Sequence, residues 1–437
     1  LSFSGGSISD GFATSVESVS TAKENAAPRA RFLALATALL LSLTLTSAVV
    51  GAEIHNTDRV TLYFLNGIVV YHSSTNETLV LETPANLTLG EGFEQKVVTL
   101  LSHNLVFNET VKAFTFNATK GYVGFFVCCV EVRAKPMDQA LTLLARALED
   151  PTSTPKPSSS ELPEGVREYL REPHPKVVEV VKPEYERWFR GTYGRGVDEA
   201  GPLGIAATAA YFVYSVYIEY DPSNIPRSIE QVIESRRGDC DDMSRVLVEL
   251  LNAYGIPAVV AGGYTYIRGL NLTQPMENVT YKYVNGGPHA FVMAYVPGEG
   301  WISLDLLAYS LLVNPFAFEG YSRETKVEEK AVEELVSLHR SLNATQAFVL
   351  LSKGEFEKLV GEPVTLEKVA RLFWQVTGIG ETAATMPQAK EVATTSSEAW
   401  YVVGIVAVLV LIAIASTTLI KRSFSQWFSP RRTEKAY

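Results

Sequence analysis

Cysteine is scarce in this chain of 437 residues, with three in all, which excludes a disulfide-stapled scaffold. Cys128 and Cys129 are adjacent, a spacing that meets disulfide geometry only with strain. Between Gly124-Phe125-Phe126-Val127 and Val130 they read as small apolar residues of a buried strand, so Cys240 has no obvious partner. Positive charge is in deficit as well: 38 Lys and Arg against 48 Asp and Glu give a net charge of −10. No phosphate-neutralising surface follows, and nucleic acid is not an expected partner. Paired cysteine spacings such as Cys-x-x-Cys are missing, and no cofactor or resident metal is expected. No long internal repeat is present. With 47% hydrophobic and 20% charged residues the chain is not a disordered one, and its length suits two or three domains at roughly 150 residues each.

Two long apolar runs are present. Trp400 to Ile420 is 21 residues without a charge, enough to cross a hydrocarbon core of about 30 Å at ~1.5 Å per residue. Trp400 and Tyr401 sit at one boundary and Lys421-Arg422 at the other, so the basic tail is expected inside. The first run, Phe32 to Val50, follows Arg29 and Arg31 and ends in Val50-Gly51-Ala52. It reads as a cleaved signal peptide or, alternatively, a retained anchor. Either reading exports the chain from Glu53 onward. Asn76, Asn86, Asn108, Asn117, Asn271, Asn278 and Asn343 each begin an Asn-X-Ser/Thr sequon, and all lie between the two runs. The expectation is a single-pass cell-membrane protein with a large extracytoplasmic part.

Organisation follows from periodicity and punctuation. Residues 53–135 hold short β-branched and aromatic runs (Val60 to Phe64, Ile68 to Tyr71, Thr78 to Leu81, Tyr122 to Val132), with turns at Asn66-Gly67 and Gly90-Glu91-Gly92. They read as a small β-sandwich-like domain without evident chemistry. Over 136–163 a short helix precedes the Pro/Ser-rich stretch Pro151 to Pro163, read as a linker with no core of its own. A second domain is expected over 164–380. Leu203 to Ile218 is too short to cross a membrane and reads as a core helix, and helices are expected over Thr325 to Leu342 and Thr365 to Gln375. A leader (1–52), a stalk (381–398), a membrane helix (399–420) and a basic tail (421–437) complete the plan.

Chemistry concentrates around Gly238-Asp239-Cys240. Met243, Leu247, Leu250, Leu251 and Tyr254 share one helical face with Cys240 in phase; Asp239 can cap the start, and Gly255 and Pro257 follow the end. Unsatisfied N–H groups and the helix dipole there favour a thiolate. The flanking aspartates oppose it, so an imidazole is needed. His289 opens an alternating strand to Val296, Pro297 to Gly300 turns the chain, and Trp301 to Asp305 returns. An odd loop count or a bulge places His289 and Asp305 on one face, and a three-residue loop using Gly300 would suffice. The three residues then form a nucleophile, a base and an orienting carboxylate. A zinc site from the same trio lacks paired spacing. Asp239, Asp241 and Asp242 lack the accompanying glycine and distal glutamate of an EF-hand, so capping and surface roles are expected of them.

Gly-Asp-Cys at a helix start, Tyr254-Gly255-Ile256-Pro257-Ala258, Gly262-Gly263-Tyr264, Pro288-His289-Ala290-Phe291 and Gly300 to Asp305 together resemble the transglutaminase-like superfamily, over roughly residues 165–310. Val216 to Tyr220 resembles the segment before its nucleophile. The resemblance implies an α+β, papain-like core in which a nucleophile helix packs on an antiparallel sheet. It implies Cys240 as nucleophile, His289 as general base and acid, and Asp305 as orienter. Phe291 stands where members often carry Trp, and Leu306-Leu307 where they often carry Pro-Thr. The expected activity is a thiol hydrolase or acyltransferase acting on protein or peptide substrates through an acyl-enzyme. The alternative is an inactive, membrane-anchored binding or scaffold ectodomain.

Overall fold

The computed structural model describes residues 58–75, 77–90, 92–156, 162–223 and 225–378. The apolar runs at 32–50 and 400–420, the stalk, the basic tail and Asn76 lie outside the described residues. Among the described residues, no helix is long and apolar enough to cross a membrane.

The β-rich segment contributes β1 (Arg59–Ser73), β2 (Thr78–Leu81), β3 (Leu87–Thr88), β4 (Glu94–His103), β5 (Val106–Asn108), β6 (Ala113–Asn117) and β7 (Val123–Arg133). Two short strands, β8 (Glu219–Tyr220) and β9 (Arg237–Gly238), pair in parallel. Then come β10 (Ala258–Met276), β11 (Val279–Val296), β12 (Gly300–Ser303), β13 (Phe316–Ser322) and β14 (Leu342–Ser352).

The expected separate β-domain is part of a larger sheet. The strand order is β13-β10-β11-β14-β1-β7-β4-β3, with β12 beside β11. β14 makes the join, pairing antiparallel with β1 along Leu62↔Ser352 to Ser73↔Leu342 and parallel with β11 along Val279↔Ala344 to Val284↔Val349. Such a join between strands hundreds of residues apart leaves no local signature. The sheet also curls back on itself. The Gln95 carboxamide of β4 donates to Phe318 O (2.7 Å) and accepts from Phe318 N–H (2.8 Å) on β13, standing in for a strand at that seam. Inside the curl lies an aromatic core that includes Phe64, Phe126, Tyr264, Phe291, Phe318 and Phe348. The sandwich-like part of the expectation survives as the three-stranded sheet β2-β6-β5, which turns Leu79, Leu81, Phe114 and Phe116 into that core.

β1 and β7 are apolar on both faces because both faces are covered. Cys128 belongs to the inner core, where burial pushes its thiol far up. Cys129 points the other way, half-buried beside Tyr63, whose phenol rather than an apolar contact holds it. On that outer side Phe125, Val127, Val349 and Leu351 meet the helices Lys353–Leu359 and Leu366–Thr377.

A second core lies between the sheet and the helices Met137–Glu149, Lys182–Tyr193, Pro202–Phe212 and Cys240–Asn252, and takes Val292, Ala294 and Val296 from β11. The Leu203 to Ile218 run is buried here, as a helix that widens into a π-turn over Val213–Tyr217. The stretch read as a free linker is partly docked. Pro151 and Thr154 are buried, and Thr154 Oγ1 accepts the N–H groups of Gly201 (3.1 Å) and Gly204 (3.3 Å) at a helix start. Two glycines permit this, since a Cβ at Gly204 would stand 2.2 Å from Pro151 O and one at Gly201 2.4 Å from Pro155 O. Residues 157–161 lie outside the described residues.

Helix propensity alone makes Gly204→Ala favourable by about 1 kcal/mol. The docked 151–155 backbone reverses the sign: overpacking should destabilise the chain by about 1–3 kcal/mol. Denaturant unfolding measures this, and a more stable variant would show that the segment is not docked.

Candidate active site

Cys240 is the first residue of its helix, and Asp239 caps it. The Asp239 carboxylate accepts from Asp242 N–H (3.5 Å), and the Asp242 carboxylate from Asp239 N–H (3.3 Å). Met243, Leu247, Leu250 and Leu251 are fully buried and fix the helix to the sheet, leaving Cys240 half-buried at the end that carries free N–H groups. Ser244, one turn on, donates its hydroxyl to Cys240 O (2.6 Å) and is held by the buried Tyr214 phenol (2.9 Å).

The aspartates flanking the nucleophile do not stand uncompensated. Arg227 pairs with Asp242 (2.8 Å) and Asp221 (2.7 Å), and Arg245 pairs with Asp241 (2.7 Å) and with Asp242. Asp239 takes the other route. Burial, with Asp241 and Asp242 beside it, pushes its carboxyl well above the ordinary carboxylate range, toward the neutral form. Carboxylate oxygens of Asp239, Asp241 and Asp242 do lie within 4.8 Å of one another. The two guanidinium groups supply the positive charge that a cation would bring there.

β11 carries His289 opposite Gly263 of β10. Its hairpin to β12 pairs Val296 with Gly300 and Met293 with Ser303, leaving the three-residue loop Pro297-Gly298-Glu299. Gly298 and Gly300 take positive φ values of 85° and 77°, which the turn requires and which glycine permits without a Cβ clash. The odd count sets His289 and Asp305 on the same face. His289 Nε2 lies 2.9 Å from Asp305 Oδ2.

Asp305 is fully buried and cradled by backbone donors: Leu307 N–H (3.0 Å) and Ala308 N–H (3.1 Å) on Oδ1, Ser310 N–H (2.8 Å) on Oδ2. Burial alone would raise its pKa, but the His289 charge and these hydrogen bonds hold it below the ordinary carboxylate range. The Leu306-Leu307 departure leaves the cradle intact, because Leu307 contributes through its backbone. For His289, burial disfavours the charged ring, yet Asp305 outweighs it, followed by a hydrogen bond with Cys240, and the imidazole is pushed up to about 10. With Nε2 facing Asp305, Nδ1 is the ring nitrogen left for the sulfur.

The three predicted residues therefore converge as a chain in which the imidazole bridges thiol and carboxylate. That is not a metal geometry, in which all ligand atoms face one point. Phe291, in place of the commoner Trp, is buried against Phe316 with ring centroids 4.9 Å apart.

Sequence reading missed four contributors. Arg245 was visible in principle as an i,i+4 partner of Asp241, and Ser244 as the residue one turn beyond Cys240. Arg227 and Tyr214 reach the site only through the tertiary fold. Tyr220 was noted only as part of a resembling segment. β8 sets it opposite Gly238, and burial together with the charges of Cys240, Asp239 and Asp241 pushes its phenol up to about 12. It stays an O–H donor, half-exposed beside the nucleophile's loop.

Asp305→Asn removes the charge that keeps the ring protonated, so the His289 pKa should fall from about 10 toward or below the ordinary value of 6.5. NMR titration of the His289 ring measures this. An unchanged pKa would mean that Asp305 does not govern the ring.

Comparison with known proteins bears on this site. Residues 195–306 match the family model of the transglutaminase-like superfamily. The uncharacterized protein YebA of Bacillus subtilis (strain 168) is 32% identical over 95 residues, which is 22% of this chain and 13% of that protein. The chain thus spans a small part of that relative. A crystal structure of a candidate cysteine protease from Cytophaga hutchinsonii aligns with 67% of this chain and 91% of its own at 14% identity, TM-score 0.37. That of a candidate protease from Parabacteroides distasonis ATCC 8503 aligns with 61% and 48% at 12% identity, TM-score 0.23. Between residues 195 and 306, the segment holding Cys240, His289 and Asp305, the chain carries a transglutaminase-like superfamily domain.

Proposed function

We propose that this protein is a membrane-tethered, extracytoplasmic thiol enzyme that acts on carboxamide or peptide bonds of proteins through a Cys240 acyl-enzyme. The observation that carries the reading is His289 Nε2 set 2.9 Å from the buried Asp305 Oδ2, with Cys240 acting on the same ring. The proposed attack uses Cys240 as a thiolate paired with His289, the ring that Asp305 holds protonated. Cys240 Sγ attacks the carbonyl carbon, and negative charge moves onto the carbonyl oxygen. The reading assigns the Cys240 N–H at the helix start and the Tyr220 phenol to receive it. Collapse of that intermediate breaks the C–N bond as His289 gives its proton to the departing amine. The ring, now neutral, then takes a proton from water as the water oxygen bonds to the thioester carbon. The C–S bond breaks, its electron pair returns to Cys240 Sγ and the acid leaves, while an acceptor amine attacking in the same way leaves as a new amide.

Hydrolysis is the favoured outcome because the sequence shows no sign of an acceptor-amine site. The tether rests on the charge-free 400–420 run with its basic flank, and the outward orientation on the same run together with the confinement of the sequons.

Cys240→Ala should abolish turnover of a protein substrate, and the iodoacetamide labelling it loses should be that at position 240, with the half-buried Cys129 unaffected. Turnover that persists in this variant would sink the enzyme reading. Tyr220→Phe, which removes one O–H and little else, should lower kcat by roughly 10²–10³ if it serves the oxyanion. Its alkylation rate at Cys240 should stay unchanged, since the phenol acts after attack. Equal kcat in the two proteins would remove Tyr220 from that role.

A further inference from the structure

The sequons are a motif that the thiol chemistry does not use, and the structure sorts them. Glycan transfer joins Asn Nδ2 to the anomeric carbon of a lipid-linked sugar phosphate. The carbon–oxygen bond to phosphate breaks, the phosphate leaves with the electron pair, and Nδ2 gives up one proton. The acceptor therefore needs an exposed Nδ2 and a reachable hydroxyl two residues on. All six described sequon asparagines are exposed, but they are not equivalent. Asn86 Oδ1 accepts from Val97 N–H (2.7 Å), Asn108 Oδ1 from Thr110 N–H (2.9 Å), Asn117 Oδ1 from Thr78 O–H (2.9 Å) and Asn271 Oδ1 from Asn285 N–H (3.2 Å). In these four the oxygen is occupied, the nitrogen is left for chemistry, and Thr88, Thr110, Thr119 and Thr273 are exposed. Asn278 instead commits Nδ2 to Arg340 O (3.0 Å). Behind Asn343, Thr345 is only 8% exposed and its hydroxyl accepts from Tyr71.

Three of the four favourable sites surround an uncovered apolar surface. In the sheet β2-β6-β5 the partners Val80↔Thr115, Val106↔Thr115 and Thr78↔Asn117 define the outer face, because Leu79, Leu81, Phe114 and Phe116 point inward. Asn117 and Asn108 each lie two residues along from this row, on the same face and roughly 7 Å away by strand rise. Val80 and Val106 there are 52% and 70% exposed. Asn86 sits at the second bare place. β3 covers only Glu94 and Gln95 of β4, so the rest of that strand is an open edge, with Val98 59% exposed and Asn86 bonded to the outward Val97 N–H. Open apolar strand edges invite pairing between molecules unless something blunts them.

We propose that Asn86, Asn108, Asn117 and Asn271 carry N-linked glycans, and that the first three shield the open β4 edge and the outer face of β2-β6-β5. This rests on the extracytoplasmic orientation proposed above, and not on the thiol chemistry. The test uses the full-length chain isolated from the organism that makes it. Peptide mass spectrometry locates each glycan, and a membrane-impermeant amine reagent on intact cells reports whether the chain faces outward. The expected pattern is glycan at Asn86, Asn108, Asn117 and Asn271, with Asn278 and Asn343 bare. Bare sites on an outward-facing chain overturn the proposal and leave the orientation standing. Glycan at Asn278 or Asn343 in equal measure overturns the sorting. A chain labelled only after lysis removes the proposal and the orientation together. Enzymatic removal of the glycans should raise self-association and apolar-dye binding severalfold with Cys240 alkylation unchanged, and no increase would overturn the shielding role.

Discussion

A carboxylate taken wholly out of water has to be compensated, and the way Asp305 is compensated governs the rest of the site. Three backbone N–H groups from 307, 308 and 310 satisfy part of its hydrogen-bonding capacity, and the remaining charge falls to His289. Leaving such a charge unpartnered would cost several kcal/mol, so the ring is drawn toward its protonated form despite its own burial. A cationic ring therefore stands beside the half-buried Cys240. The helix start brings its positive end to the same place. The surrounding acids are met by Arg227, by Arg245 and by the raised carboxyl of Asp239, so their negative charge does not accumulate at the helix start.

What sequence could disclose follows from where each constraint is written. The nucleophile helix was legible because its cap, its apolar phase and its glycine stop are all local. The hairpin was legible because an odd loop count can be read off spacing once a turn glycine is identified, and Gly300 is that glycine. The convergence of Cys240 with His289 was legible only through resemblance, since no periodicity relates positions 49 apart. Arg227 and Tyr214 were not legible, because a lone arginine and a tyrosine inside an apolar run carry no mark of their eventual neighbours.

The division between a β-rich domain and a catalytic one shows the opposite failure. Turn residues and a Pro/Ser stretch suggested a boundary, and the chain does change character there. The hydrogen bonds do not respect it. β14 lies between β1 and β11, and the Gln95 carboxamide links the sheet's two ends, so the strands without chemistry support the strand that bears His289. The Pro/Ser stretch misled for a related reason. Prolines cannot build a core of their own, but Pro151 and Thr154 can rest on the space left by Gly201 and Gly204.

The placement of β14 also dictates the order in which the molecule can be assembled. β1 is apolar on both faces and its side chains wait for partners as distant as the Asn66–Gln346 pair, 280 positions apart. During synthesis, the first strands emerge long before the strand that completes their ladder. Contacts so remote in sequence close slowly, and exposed strands aggregate in the meantime. A chaperone with affinity for extended apolar segments would find its longest-lived client in residues 59–133, and truncation before residue 352 would strand them permanently.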